Sequence, residues 1–190
     1  MGAIRRSLVM IITLSIFTGL VYPLAMTGLA QAVFPSRANG SIIIKDGVPV
    51  GSVLIGQAFT DARYFSSRPS AGGNDAANSG GTNYGGTSAK LQQQVSEKAA
   101  AVREVNGWAA NRDVPSVLVT NSSSGLDPHL TPEAAYCQVE RIAKVRGLSI
   151  GQVRDLVTEH IEKADLGVVG EDRVNVLKLN LTLDKLQQNQ

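Results

Sequence analysis

Arg5-Arg6-Ser7-Leu8-Val9-Met10-Ile11-Ile12-Thr13-Leu14-Ser15-Ile16-Phe17 decides the architecture. It opens an uncharged stretch of 30 residues, Ser7 to Ser36. As a helix that stretch spans about 45 Å. A bilayer core is about 30 Å thick and takes roughly 20 apolar residues. The stretch is therefore predicted to cross a membrane, with the span at 7–34. Gly19 and Pro23 lie inside it, and membrane helices tolerate both. Arg5 and Arg6 precede the span, and positive residues stay cytoplasmic. The expected topology is a cytoplasmic N-terminus at 1–6 and an extracytoplasmic domain at 35–190. The rival is a cleaved signal peptide with Ala30-Gln31-Ala32 as its cleavage site. A signal core is only about 7–15 residues long, which favours the anchor.

Charge supports an exported, neutral domain. The chain carries 18 Lys+Arg and 16 Asp+Glu, net +2. Arg5 and Arg6 are the only charges before Arg37, so the remainder balances at 16 against 16. A nucleic-acid module would show a clustered basic surplus, and none exists. Cys137 is the only cysteine. With it go any internal disulfide and any cysteine-rich metal site. Two histidines, His129 and His160, are also too few for a histidine-based metal site.

Beyond the span the pattern is mixed. Ser41 to Ile44 reads as a strand, Asp46-Gly47 as a hairpin turn, and Val48 to Ile55 as its return. Residues 59–87 are rich in Gly, Ser, Asn and Ala and lack aliphatic residues, which predicts a long loop. Ser88 to Val105 reads as a helix, with Leu91, Val95, Ala99, Val102 and Val105 on one stripe and Asn106-Gly107 ending it. Ser116 to Thr120 reads as a short strand. Thr131-Pro132-Glu133 starts a helix that Gly147 stops. Ser149 and Gln152 form a capping box for the next helix, with Val153, Leu156, Val157 and Ile161 on its face. Val174 to Leu181 reads as a final strand, and Leu181 to Leu186 as a short helix. The fold class is therefore α+β: one N-terminal transmembrane helix, then a small mixed domain.

No catalytic motif is complete. Gly81 and Gly86 have the spacing of a phosphate loop, but Thr87 stands where the motif needs Lys. Leu148-Ser149-Ile150-Gly151-Gln152 is similar to the LSGGQ signature of ABC ATPases, with Ile150 in place of a Gly. A capping box explains Ser149 and Gln152 completely and is the favoured reading, since ATP is cytoplasmic and this segment is expected outside. Ser124, Asp127 and His129 supply the residue types of a hydrolase triad, yet they are adjacent in sequence and no G-x-S-x-G elbow exists. Tyr64, Phe65 and Arg68 put two aromatics and an Arg in a loop of small residues. They suit an interface, or they pin the loop to the core. Gly19, Ala25, Gly28 and Ala32 recur at roughly helical spacing in the span, as helix–helix contacts in membranes prefer.

Several segments together resemble the KdpC family, the C subunit of Kdp potassium-transporting ATPases. They are Val21-Tyr22-Pro23, Gly56-Gln57, Tyr64 through Ala71, Asn78-Ser79-Gly80-Gly81 with Asn83 and Gly85, and Ser124-Gly125-Leu126-Asp127-Pro128-His129. Arg146-Gly147-Leu148, Gly170-Glu171, Arg173 through Leu177 and Leu179-Asn180 complete the set. The chain departs from the family pattern at Gly86, Val117, Ser123 and Ile161.

The resemblance implies a non-catalytic, single-pass subunit in a bacterial inner membrane, N-terminus inside. Its implied partners are a channel-like potassium-binding subunit, a P-type ATPase subunit and a small single-span subunit. It implies an interface built from Tyr64, Phe65, Arg68, Gly80, Gly81, Asn83, Asp127, His129, Arg173 and Asn175. It also implies a catalytic-chaperone role that raises ATP affinity, which for ATP or nucleotide binding points to Gln152. ATP itself is then bound by the partner ATPase subunit, with no cofactor assigned to this chain. The alternative is a membrane-anchored exported hydrolase or partner-binding domain.

Overall fold

The computed structural model describes residues 2–188. The chain divides into two compact units, one up to Val50 and one from Gly51. The first begins with α1 (Gly2–Ile16), a π-helical turn (Phe17–Val21) and α2 (Tyr22–Val33). Together they make the one helix among the described residues long and apolar enough to cross a membrane, 32 residues from Gly2 to Val33. Its length is about 48 Å. The π turn has a local cause. Pro23 has no amide hydrogen to give to the carbonyl four residues back. The helix widens just ahead of it, and the Tyr22 amide reaches back to Phe17 O. Apolar side chains such as Ile11, Leu20 and Leu24 are exposed all round this helix.

A short helix α3 (Pro35–Ala38) leads into the hairpin of β1 (Ile42–Lys45) and β2 (Val48–Ser52). Asp46 and Gly47 have φ of 53° and 78°, the two left-handed residues of a type I′ turn. The second strand ends earlier than its apolar residues predict. Ser52 Oγ accepts from Leu54 N at 3.1 Å and turns the chain off the strand.

In the second unit residues 53–88 contain no helix or strand, as the composition of 59–87 predicts. Helix α4 (Ala89–Asn106) follows, ended by Gly107 at φ 65°. Val105 is exposed, so the apolar stripe is one residue shorter than expected. Residues 116–118 form a 3₁₀ turn, not a strand. Leu118 N donates to Pro115 O at 3.0 Å and Val119 N to Ser116 O at 3.1 Å, so the backbone groups a strand would offer to a neighbour are spent inside the turn.

Helix α5 (Pro132–Tyr136) starts on Thr131, whose Oγ1 accepts from Ala134 N. The expected single helix breaks at Cys137 and resumes as α6 (Val139–Arg146), with Gly147 at φ 68° ending it. Helix α7 (Ile150–Glu159) carries the full capping box of Ser149 and Gln152. Ile161 leaves that helix for β4 (Ile161–Glu162).

The sheet of this unit is three short antiparallel strands in the order β3-β5-β4, with β3 at His129–Leu130 and β5 at Arg173–Asn175. The final strand is therefore much shorter than Val174–Leu181. Helix α8 (Val176–Gln188) takes over. Val176, Leu177, Leu179, Asn180 and Leu183 are buried, which is helical spacing. Asn175 Oδ1 accepts from Lys178 N at 3.1 Å and caps the start. The core packs Phe65, Leu130, Ile142, Val153, Val157, Val174, Leu179 and Leu183 between these helices and the sheet.

Candidate functional site

The first part of the long loop is clamped by side chains, and its later part by backbone bonds to 122–125, Ser122 N to Pro69 O at 3.1 Å among them. Asn180, on α8, accepts from Phe65 N at 2.9 Å and donates Nδ2 to Phe65 O at 3.0 Å. One amide thus makes both bonds that a neighbouring strand would make. Gln138 does the same for Ser66, accepting from its N at 2.9 Å and donating to its O at 3.2 Å. Arg141 donates to the carbonyls of Ala62 and Tyr64 and to Gln138 Oε1. Burial pushes its guanidinium pKa down. Arg146 donates to Arg63 O at 2.7 Å and to Asp184 Oδ1 at 2.9 Å. Its guanidinium lies 4.7 Å from the Tyr64 ring centre, a cation–π contact. The Tyr64 hydroxyl donates to Asp184. Phe65 is fully buried, so it anchors the loop from inside the unit. None of Gln138, Arg141, Arg146 and Asn180 stood out as a site residue in the sequence. The available signal was a polar residue inside an apolar helical stripe, as at Leu179-Asn180 and Ile142 beside Arg141.

Further along the loop, Arg68 Nη1 meets Asp127 Oδ2 at 2.9 Å. Asp127 Oδ1 accepts from His129 N at 3.0 Å, and His129 Nδ1 lies 3.6 Å from the same oxygen. Burial pushes the Asp127 carboxyl up. Hydrogen bonds from His129 and Arg68 outweigh it, and the group stays below its usual value. Arg173 sits 3.4 Å from Glu162, which also accepts from Lys178 at 2.7 Å. Burial raises Glu162, Lys178 and its neighbours lower it, and the result is again below the usual carboxylate range. Arg68, Asp127, His129, Thr131 and Arg173 line one polar cleft of about 350 Å³. Its rim holds both signs of charge, which suits a polar interface more than a single small ion.

The structure thus gathers four of the sequence-derived residues, Arg68, Asp127, His129 and Arg173. Asn175 pairs with His129 in the sheet, but it is buried and donates to Val53 O at 2.8 Å. Phe65 and Asn175 therefore serve the interior and not the surface. Gly80 N donates to Ser124 O at 2.8 Å. A Cβ on Gly81 would lie 2.8 Å from Ser123 O, so Gly81 seats the loop against 122–125 by close backbone approach. Asn83 is exposed at φ 52°. Gln152 is exposed, and its Oε1 accepts from Ser149 N at 3.0 Å. Its role in the fold is the helix cap. Ser124 Oγ accepts from Leu126 N at 3.1 Å, and no hydrogen bond joins it to His129 among the described residues. Nor do three His, Cys, Asp or Glu side chains gather as metal ligands among them.

Comparison with known proteins agrees along nearly the whole chain. The family model for the K+-transporting ATPase c chain, KdpC, matches residues 4–185. A potassium-transporting ATPase KdpC subunit of Caldanaerobacter subterraneus is 49% identical, covering 95% of this chain and 93% of that protein. One of Koribacter versatilis is 50% identical, covering 95% and 93%. One of Acidobacterium capsulatum is 50% identical, covering 98% and 100%. With a spanning-length apolar helix followed by an α+β unit whose polar loop is clamped by buried amides, this chain belongs to the KdpC family of K+-transporting ATPase subunits.

Proposed function

We propose that the chain is a non-catalytic, single-pass accessory subunit of a potassium-pumping P-type ATPase. In this reading α1 and α2 anchor it, Arg5 and Arg6 stay inside, and the α+β unit works on the outer face. There it stabilises the assembly of a channel-like potassium-binding subunit, the ATPase subunit and a small single-span subunit. The supporting observation is the apolar helix Gly2–Val33 in a chain that matches the family over residues 4–185. The mixed-charge cleft at Arg68, Asp127, His129 and Arg173 is the surface offered to a partner. ATP is bound by the ATPase subunit. Any effect of this chain on ATP affinity then acts as a coupling through the complex, because the Gln152 side chain is engaged in its own helix cap.

The test is co-purification of the tagged full chain in mild detergent, with cysteine labelling of intact cells. A P-type ATPase and a multi-span partner should come down with it. With Cys137 replaced by Ser, single cysteines on exposed positions such as Lys144 or Glu159 should react with an impermeant reagent from outside. Isolation of the chain alone, or labelling only after lysis, would refute the reading.

A further inference from the structure

Between β4 and β5 the chain builds a small finger, Lys163-Ala164-Asp165-Leu166-Gly167-Val168-Val169-Gly170-Glu171-Asp172. Its base is closed by Lys163 Nζ to Asp172 Oδ2 at 2.7 Å and Ala164 N to Asp172 Oδ1 at 3.1 Å. Its middle is a two-way backbone pair, Asp165 N to Val169 O and Val169 N to Asp165 O, both 2.9 Å. The tip is Leu166-Gly167, with φ of 55° and 74°. Leu166 thus lies in the left-handed region, where Gly, Asn or Asp normally stands. A branched apolar side chain is among the least suited to that position. Leu166 nonetheless occupies it and is 94% exposed, with Val168 at 83% and Val169 at 58%. The finger therefore holds a disfavoured backbone while presenting three bare apolar side chains on a pinned stem. Backbone strain of this kind collects at sites of engagement.

The charges around the tip choose the occupant. The finger has three acids, Asp165, Glu171 and Asp172, against one base, Lys163. Lys163 is used by Asp172. Among the described residues the Asp165 carboxylate reaches only Arg173, at 4.0 Å. A negative collar is repelled by an anionic lipid surface and complements a cationic rim on protein. We infer that this finger inserts Leu166 into an apolar, basic-rimmed pocket on another protein subunit of the assembly. The inference rests on the accessory-subunit reading and extends the partner surface from the polar cleft, which Glu171 and Asp172 also line, to an apolar tip.

The experiment co-expresses wild-type and variant full chains with different tags and measures their ratio in the purified complex. Removing a buried anchor of this size shifts such a competition about tenfold. Leu166→Gly should fall to about a tenth of the wild-type share. Its thermal midpoint should be unchanged or higher, because Gly accepts the left-handed φ. A share equal to wild type would overturn the inference. If Leu166→Gly lowers the midpoint, Val168→Ser, which leaves the turn intact, decides by the same ratio. A photo-reactive residue at Val168 should cross-link to another subunit. Cross-links only to lipid, or only to a second copy of this chain, would overturn the inference. A wild-type chain that brings down no pump subunit would defeat the accessory-subunit reading and the finger contact together. A wild-type chain that co-purifies while its finger variants compete equally would defeat the finger contact alone.

Discussion

Asn180→Ala should loosen the long loop and destabilise the second unit. The Asn180 amide is 1% exposed and pairs with both backbone groups of Phe65, itself fully buried. Alanine leaves a buried N–H and a buried C=O without partners. Each orphaned group costs about 1–3 kcal/mol, so the pair costs about 3 kcal/mol after partial relaxation. For a unit of this size 1 kcal/mol moves the midpoint by about 3 °C. Calorimetry of the full chain in detergent should therefore show a drop of roughly 10 °C. Trypsin should also cut sooner after Arg63, whose bond to Tyr64 it can hydrolyse. Asn180→Asp keeps the acceptor for Phe65 N but loses the donor and buries a charge, so it should be no better than alanine. Gln138→Ala should destabilise through the same mechanism at Ser66. The double variant should cost less than the two singles together, because one freed segment releases both clamps. A midpoint shift below about 2 °C for Asn180→Ala would refute the idea that side-chain amides hold the loop.

Acid should weaken the cleft. The Asp127 and Glu162 carboxyls both sit below their ordinary values in the folded state. They stabilise the fold fully above the unfolded value of about 4 and lose that contribution as pH falls through the lower folded value. Thermal midpoints measured from pH 7 to pH 3 should fall below about pH 4, and Asp127→Asn should flatten that fall. Gly125→Ala should be poorly tolerated, because Gly125 has φ 69° and a Cβ would lie 2.7 Å from Gly80 O. Its cost should be about 2 kcal/mol or more in denaturant melts. Gln152→Ala should cost about 0.5–1 kcal/mol through loss of half the capping box, while Gln152→Glu should keep both stability and the ATP KM of the assembled pump. A KM raised by Gln152→Glu alone would instead favour direct nucleotide contact.

The features legible in the sequence are the ones governed by near neighbours. The uncharged run after Arg6 predicts the spanning-length helix. Asp46-Gly47 predicts its turn, Ser149 with Gln152 its cap, and Gly107 and Gly147 their helix ends. In each the deciding interaction lies within a few residues. The misread elements had local patterns that a distant partner overrode. Val174 to Leu181 alternates well enough for a strand, yet β5 stops at Asn175 because that side chain caps α8 and the apolar residues beyond face the core at helical spacing. His129-Leu130 and Ile161-Glu162 became strands only because Arg173–Asn175 lies between them.

The site follows the same division. Composition alone made 59–87 a loop and marked Arg68, Asp127 and His129 as unusual. Which of them meet depends on contacts across 59 residues for Arg68 with Asp127, and across 115 for Phe65 with Asn180. Closing loops of that length has an entropic cost that only cooperative packing of the whole unit offsets. A local pattern carries no term for that cost, so caps, turns and the spanning-length helix could be read along the chain, while the clamp and the cleft exist only once the unit has folded.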